Sequence, residues 1–546
     1  MLDFAIFAVC CLSTLLIVII WFNPSSKKVT TIPGMNPTSK EDGNISDIGR
    51  AGSLHEFLLD LHERYGPIAG FWFGQIYTVS IASPELFKTH SNVFDKPASL
   101  FSVFEPLIGS ASLQYLNGAD GRSRRKHYDR AFGHDRLSAY YDMFQRAADV
   151  LVKNWSSKNE QDHIPLSEDI FIFAIRAALL TVLGEYFYNE ELLLSFRNAY
   201  EKAWGEMEHR LIDPTIPSKD TQRMKQFDEA VNYMIETVRK VVQHRKESAH
   251  QGQLVIDNII EFSENEEAVN ADCVTFLTGS FHTTLNLLTW CLYFLATHKD
   301  IQEKVYQEIM DILGEKDQVN KSNLSQLKYM RQVVDESLRC GVIAPWAARV
   351  QNFDSVLGGH KVPKNTPVIH ALGVVLKDEK LWPLPNKFDP DRFNEENVKH
   401  RHPYAFQPFG FAGKRKCPAY KYAYIESQVM LATILRKFQI KMHGEQVVLP
   451  VYGLVTHPAE EIWVQLCGCA QGSDTNWTCL YGCETNLSLS TCSFFFLFEM
   501  LVCFDRSPEG VGGTVASESV LRSAGTLLSR FEPRHWRPGL TEGPKT

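Results

Sequence analysis

At 546 residues the chain is longer than an average domain, and 44% hydrophobic with 22% charged residues is an ordinary globular composition with enough apolar material for a large core. A net charge of −8 argues against a general nucleic-acid binder, and 12 cysteines at this length are too few for a disulfide scaffold. The main body therefore reads as reduced and cytosol-facing.

Phe4 to Phe22 is an apolar run without a charge, close to the roughly 20 residues that cross a bilayer. Asp3 precedes it and Lys27 and Lys28 follow, which puts the N-terminus in the lumen and the body in the cytoplasm. A cleaved signal peptide would need a charged n-region and a small-residue cleavage site, and neither is present. Residues 1–25 are thus expected to be a single membrane anchor. Residues 26–50, with Ile32-Pro33-Gly34 and Asn36-Pro37, are expected to form a stiff linker. A globular domain should then occupy 51–466. It opens with a helix over Leu54 to Tyr65 that Gly66-Pro67 ends, and a hairpin of Ile68 to Phe73 and Ile76 to Ile81 around Gly74-Gln75. Pro84 to His90 returns to helix.

Arg122, Arg124, Arg125, Lys126 and Arg130 crowd the stretch from Gly118 to Phe132, a pattern that taken alone describes a solvated helix face. Residues 140 to 265 carry helical patterns broken by polar stretches such as Asp213-Pro214 to Pro217. Asp272 to Thr297 is long and apolar enough to pose as a second span. The polar groups inside it, Thr278, Ser280, His282, Thr283, Thr284 and Asn286, better fit a helix buried across a large domain. Tyr329 to Cys340 is helical and contains Glu336-Ser337-Leu338-Arg339, an i, i+3 pair of a kind common on exposed helices. Val362 to Thr366 reads as a strand turn.

The stretch with the most chemistry is Pro408 to Ala419, where Cys417 ends a glycine-bearing loop ahead of a predicted helix from Tyr420 to Phe438. A cysteine after a glycine turn is, by itself, most simply a buried structural residue. At a helix N-terminus, with Pro418 at the first helical position, the dipole and free N–H groups favour a thiolate that can ligate iron. Lys414, Lys416 and Lys421 nearby make a positive patch that would steer an acidic partner. Ile462 to Leu466 is a plausible last strand. Residues 467–546 hold 6 cysteines, an apolar patch from Phe494 to Phe504 too short to span a bilayer, and a Gly/Ser/Pro/Arg-rich end, and are expected to be an atypical disordered tail.

Gly413, Arg415 and Cys417 keep the Gly-x-Arg-x-Cys spacing of the cytochrome P450 haem loop, and three further stretches resemble the same family in the expected order. Gly279 to Thr284 is similar to Ala-Gly-x-Asp/Glu-Thr-Thr, with Thr283 at the threonine that serves proton delivery and His282 replacing the acid. His282 is then either a proton relay or a core histidine. Glu336, Arg339 and Arg392 resemble the buried Glu, Arg, Arg triad of the family. Arg125 aligns with a propionate-binding arginine whose tryptophan partner is replaced by Gly121, and Arg349 with a further propionate contact. Phe409 lies one residue farther from the cysteine than the family pattern, and Ala419 replaces a usual glycine. The resemblance covers about residues 30 to 466, and the wording Leu59-Asp60-Leu61-His62-Glu63-Arg64-Tyr65 is most similar to the family-20 orphan group.

The resemblance implies a mainly α fold with a smaller β-rich lobe behind the membrane helix. It implies haem b held by the Cys417 thiolate, with Arg125, Arg349, Arg415, Gly413 and Phe409 around it. The implied activity is insertion of one oxygen atom from O2 into an apolar small molecule in the endoplasmic reticulum membrane. Electrons would come from NADPH through NADPH-cytochrome P450 reductase, with cytochrome b5 as a second donor and no role for nucleic acid. The lost helix acid leaves a haem-thiolate isomerase, or a haem-binding protein without turnover, as the alternative.

Overall fold

Residues 30–212, 221–247, 254–263, 265–410, 413 and 415–468 are described by a computed structural model of the chain. The predicted anchor, the break from Asp213-Pro214 to Pro217, residues 411, 412 and 414, and all of the tail beyond Gly468 lie outside the described residues.

Helix α1 (Leu54–Tyr65) begins where Ser53 accepts the Glu56 N–H at 3.1 Å and returns a 2.8 Å bond to the Glu56 carboxylate, a reciprocal cap. Its buried face, Phe57, Leu58 and Leu61, packs on a sheet lobe. Strands β1 (Ile68–Phe73) and β2 (Ile76–Ile81) pair antiparallel with Phe73 opposite Ile76, so Gly74 and Gln75 alone make the turn. Gly74 takes φ +59 at the first turn position, which a side chain would resist. Farther along the chain β3 (Ala347–Arg349) and β4 (Val368–His370) complete the order β1-β2-β4-β3, with β2 and β4 parallel.

The linker expected over 26–50 is not free from Thr30 onward. Ile32 is buried, Gly34 bridges Gly70 in parallel, and the Met35 N–H and Pro33 carbonyl bond to Gly70 at 2.9 and 2.8 Å. The backbone of β1 offered an unpaired edge, and this segment takes it.

The larger lobe is helical. Helices α2 (Gly118–Tyr128), α3 (Tyr140–Ser156), α4 (Leu166–Val182), α5 (Glu190–Ile212), α6 (Gln222–Glu247), α7 (Glu266–Thr297), α8 (Lys328–Gly341) and α9 (Tyr420–Leu435) share one continuous apolar core. The long α7, about 48 Å at 1.5 Å per residue, starts on Asn265, whose side chain accepts the Glu267 and Ala268 N–H groups. Among the described residues no helix is long and apolar enough to cross a membrane.

Two boundaries differ from expectation. Helix α9 begins at Tyr420, so Pro418 sits in the preceding turn and not at the first helical position. It ends at Leu435, and Phe438–Met442 forms strand β5, because Phe438 and Ile440 bury on alternate positions at period two. Its partner β6 (Trp463–Gly468) runs two residues beyond Leu466, pairing Cys467 with Gln439 and Gly468 with Phe438.

Candidate active site

The half-buried Cys417 is held in a closed turn, its N–H donated to the Phe409 carbonyl at 3.0 Å. The Phe409 ring packs 5.1 Å from Tyr424 and 6.2 Å from Tyr420 on α9, so this phenylalanine joins the loop despite its shifted spacing. Gly413 has φ +117, and a Cβ there would stand 2.2 Å from the Ser91 carbonyl oxygen, which explains the glycine. Burial pushes the Cys417 thiol up. The Ala419 N–H and the nearby Arg125 and Lys416 charges pull it the other way.

Four cations converge beside that loop. Arg125 is buried, donates Nε to Asp129 at 2.5 Å and reaches the Lys416 carbonyl with its other arm. Arg415, also buried, donates to the carbonyls of Phe94 (3.4 Å), Leu113 (3.3 Å) and Leu116 (2.5 Å). Arg349, at the end of β3, is 3% exposed and donates to the Ala348 carbonyl at 2.7 Å and the Arg415 carbonyl at 3.5 Å. Burial, and then Arg415 and Arg125, pull Arg349 down to about 9. Burial, and then Arg125, pull Arg415 to about 10. Lys96 is the fourth, its Nζ 2.5 Å from Gln114 Oε1, held well below the ordinary lysine value by burial and the three arginines. Sequence reasoning missed Lys96. Only tertiary pairing of its backbone with the Asn117 side chain, at 2.9 Å in both directions, brings it here.

On α7, Thr283 donates its hydroxyl to the Gly279 carbonyl one turn back at 2.7 Å. The His282 ring lies among Trp204, Tyr200 and Phe171, at centroid distances of 4.1, 5.4 and 5.8 Å. Desolvation there holds the imidazole neutral, down to about 3, and its Nε2 is buried with no hydrogen-bond partner. Ringed by aromatics with Nε2 unpartnered, His282 fits, of the two readings left open by the sequence, the core histidine. The next residue, Thr284, bonds Glu426 of α9 at 2.9 Å. Burial lifts Glu426 to about 8. The reading of the chain missed it too, although a lone acid in an apolar helix was visible.

The third cluster holds the meander that leads to the cysteine loop. Glu336 and Arg339, both fully buried, make two 2.7 Å bonds, and Arg392 lies 3.4 Å from Glu336. Arg339 also donates to the carbonyls of Leu376, Pro385 and Lys387, while Glu336 accepts the Asp389 N–H at 2.9 Å. Burial opposes the Arg339 charge, but the bonds to Glu336 outweigh it and its pKa is raised.

A thiol on a closed turn beside four crowded cations suits an iron-bearing ring with two carboxylate arms: the sulfur can ligate the metal, and the carboxylates would relieve the mutual repulsion of the arginines. The donor set fits haem, and with the long buried helix it defines the haem-thiolate class. The sequence model of the Cytochrome P450 family matches residues 34–464, and the chain belongs to that family. Cytochrome P450 20A1 of Mus musculus is 36% identical over 468 residues, spanning 85% of this chain and 99% of the relative. The Homo sapiens protein of the same name is 33% identical over the same span. Cytochrome P450 4V2 of Homo sapiens is 27% identical over 436 residues, 74% of this chain and 82% of the relative.

Proposed function

We propose that the chain is a membrane-anchored monooxygenase of the endoplasmic reticulum, inserting one oxygen atom into an apolar small molecule with electrons from NADPH through a membrane-bound flavoprotein reductase, and with cytochrome b5 as a second donor. The observation that carries this reading is the meeting of the Cys417 turn with the Arg125, Arg349 and Arg415 cluster. Haem bound through a cysteine thiolate supplies oxygen activation, because the thiolate pushes electron density toward O–O cleavage. The residues of the chain do the rest. Arg125, Arg349 and Arg415 would hold the carboxylate arms, and the Cys417 thiolate would ligate the iron. Thr283 holds a hydroxyl proton at Oγ1, free to turn from the Gly279 carbonyl toward a bound group. The Glu336, Arg339 and Arg392 network is structural, fixing the meander.

The reduced carbon monoxide complex should absorb at the thiolate-type Soret position, and Cys417→Ser should abolish that band. A variant that kept the band would overturn the ligand assignment.

The neutral His282 favours a second reading, a haem-thiolate isomerase or a haem-binding protein without turnover, since no acid stands at that helix position. Reductase-dependent NADPH consumption across a lipophilic library separates the two. Substrate-linked consumption supports the monooxygenase, and peroxide rearrangement without NADPH supports the isomerase.

A further inference from the structure

A cavity of about 570 Å³ opens where the start of α9 meets α8, the start of α3 and the loop before α8. Its volume lies within the range of small-molecule sites. Part of its lining is apolar, from Leu137, Leu324, Leu327 and Ile425, with the rings of Tyr141 and Tyr424. Its charged residues are mostly cationic. Lys321, Lys328, Arg331 and Lys421 line it against two acids, Asp335 and Glu395.

Both acids are already engaged. Asp335 takes a 3.1 Å bond from Arg331 and a 2.5 Å bond from the Tyr424 hydroxyl, and Glu395 pairs with Lys328 at 3.0 Å. Lys321 and Lys421 are exposed at the surface and have no ion pair among the described residues. The wall also contains Gln332, whose buried Oε1 has no hydrogen-bond partner; its amide can equally present the N–H2 group to an acceptor. Surplus positive charge over an apolar floor, with an unsatisfied amide in the wall, matches a molecule with a carboxylate or sulfonate head and an apolar body.

We infer that this cavity is a second ligand site, separate from the haem pocket, that binds a small amphipathic organic anion. The site touches the cysteine loop through two ring contacts, Tyr420 lying 6.2 Å from Phe409 and Tyr424 nearer. Tyr424 in its wall packs 5.1 Å from Phe409, whose carbonyl receives the Cys417 N–H. An occupant would therefore press on the turn that holds the sulfur. It would also neutralise Lys421, one of the lysines proposed to steer an electron donor.

The test uses the haem-loaded full chain in lipid nanodiscs with 4-benzoylbenzoate, an aryl carboxylate that crosslinks under light, and peptide mapping by mass spectrometry. Adducts should fall on residues 321–335 and 420–428, and the neutral 4-benzoylbenzamide should label those segments at least several-fold less. Lys328→Glu with Lys421→Glu should cut the yield about fivefold, the scale of exposed charge pairs, while the haem spectrum stays unchanged. Lys421→Gln alone, which changes an exposed side chain, should give a smaller drop in the same direction. Adducts confined to other segments, equal labelling by the amide, or equal yield in the charge-reversed chain would each overturn the site. None of these outcomes depends on turnover, so they bear on this site and not on the monooxygenase reading.

Discussion

Two buried clusters of arginine support the cysteine loop and differ in how far a carboxylate offsets their charge. Around Glu336 a fully buried carboxylate stands between two arginines: Arg339 is bonded twice to it and its pKa rises, and Arg392 lies 3.4 Å away. Around Arg349 and Arg415 burial and then the neighbouring cations depress both groups, while the Asp129 carboxylate is bonded to Arg125. A network complete in itself serves the fold, whereas one that strains against its own charge is preorganised for something else. The difference gives the same type of substitution opposite effects in the two places.

Breaking the complete network should have the largest effect. Arg339→Ala strands Glu336 and frees the carbonyls of Leu376, Pro385 and Lys387, a loss of about 3–5 kcal/mol, read as a large fall in Tm and poor haem content. Arg392→Ala should follow the same course less steeply, because its 3.4 Å contact with Glu336 is the weaker one. Normal stability in both would show that the network is not structural.

The incomplete cluster should respond the other way. Arg349→Gln relieves repulsion, so the haem-free chain should melt at the same temperature or higher. The haem-loaded chain should lose its haem about tenfold faster, the scale of one charge-assisted hydrogen bond. A fall in haem-free stability with unchanged haem retention would erase the contrast.

Glu426 sharpens the comparison as a buried carboxyl without a cation, held protonated near neutral pH. Its folded-state pKa, about 8, lies above the ordinary 4.5. Its ionisation therefore costs nothing below 4.5, costs progressively more stability as pH rises to 8, and costs a constant amount beyond. Glu426→Gln, which keeps an acceptor for Thr284, should raise Tm relative to the parent by a margin that widens across that window. A margin independent of pH would refute the buried carboxyl. The smallest effect belongs to the surface. Lys421→Glu should slow first-electron transfer from the reductase several-fold at low salt and hardly at all at high salt. Lys416 is a poorer choice than the sequence suggested, since its ammonium lies 3.9 Å over the Tyr420 ring.

Local signals carried much of this. The Ser53 cap, the two-residue turn at Gly74 and the alternation of β1 and β2 are short-range features, and those elements appear at the expected residues. Motif spacing found Arg125, Arg349 and Arg415, and the fold brings them together. What the sequence could not reveal depends on distant partners. Lys96 acquires its place from Asn117, and Glu426 acquires its character from the helix it faces. The end of α9 was misjudged because Leu435 to Ile440 is apolar at both the helical and the strand period.

The stack of His282 on Trp204 joins α7 to α5 without a charge on either side. An ion pair at that place would loosen in salt and respond to pH. A neutral imidazole against an indole is indifferent to ionic strength, so salt does not loosen this latch of α5 to the central helix, whereas acid weakens it as pH falls from about 6.5 to about 3. Near neutral pH its vulnerability is to chemistry at the indole: oxidation of Trp204 would release what salt cannot.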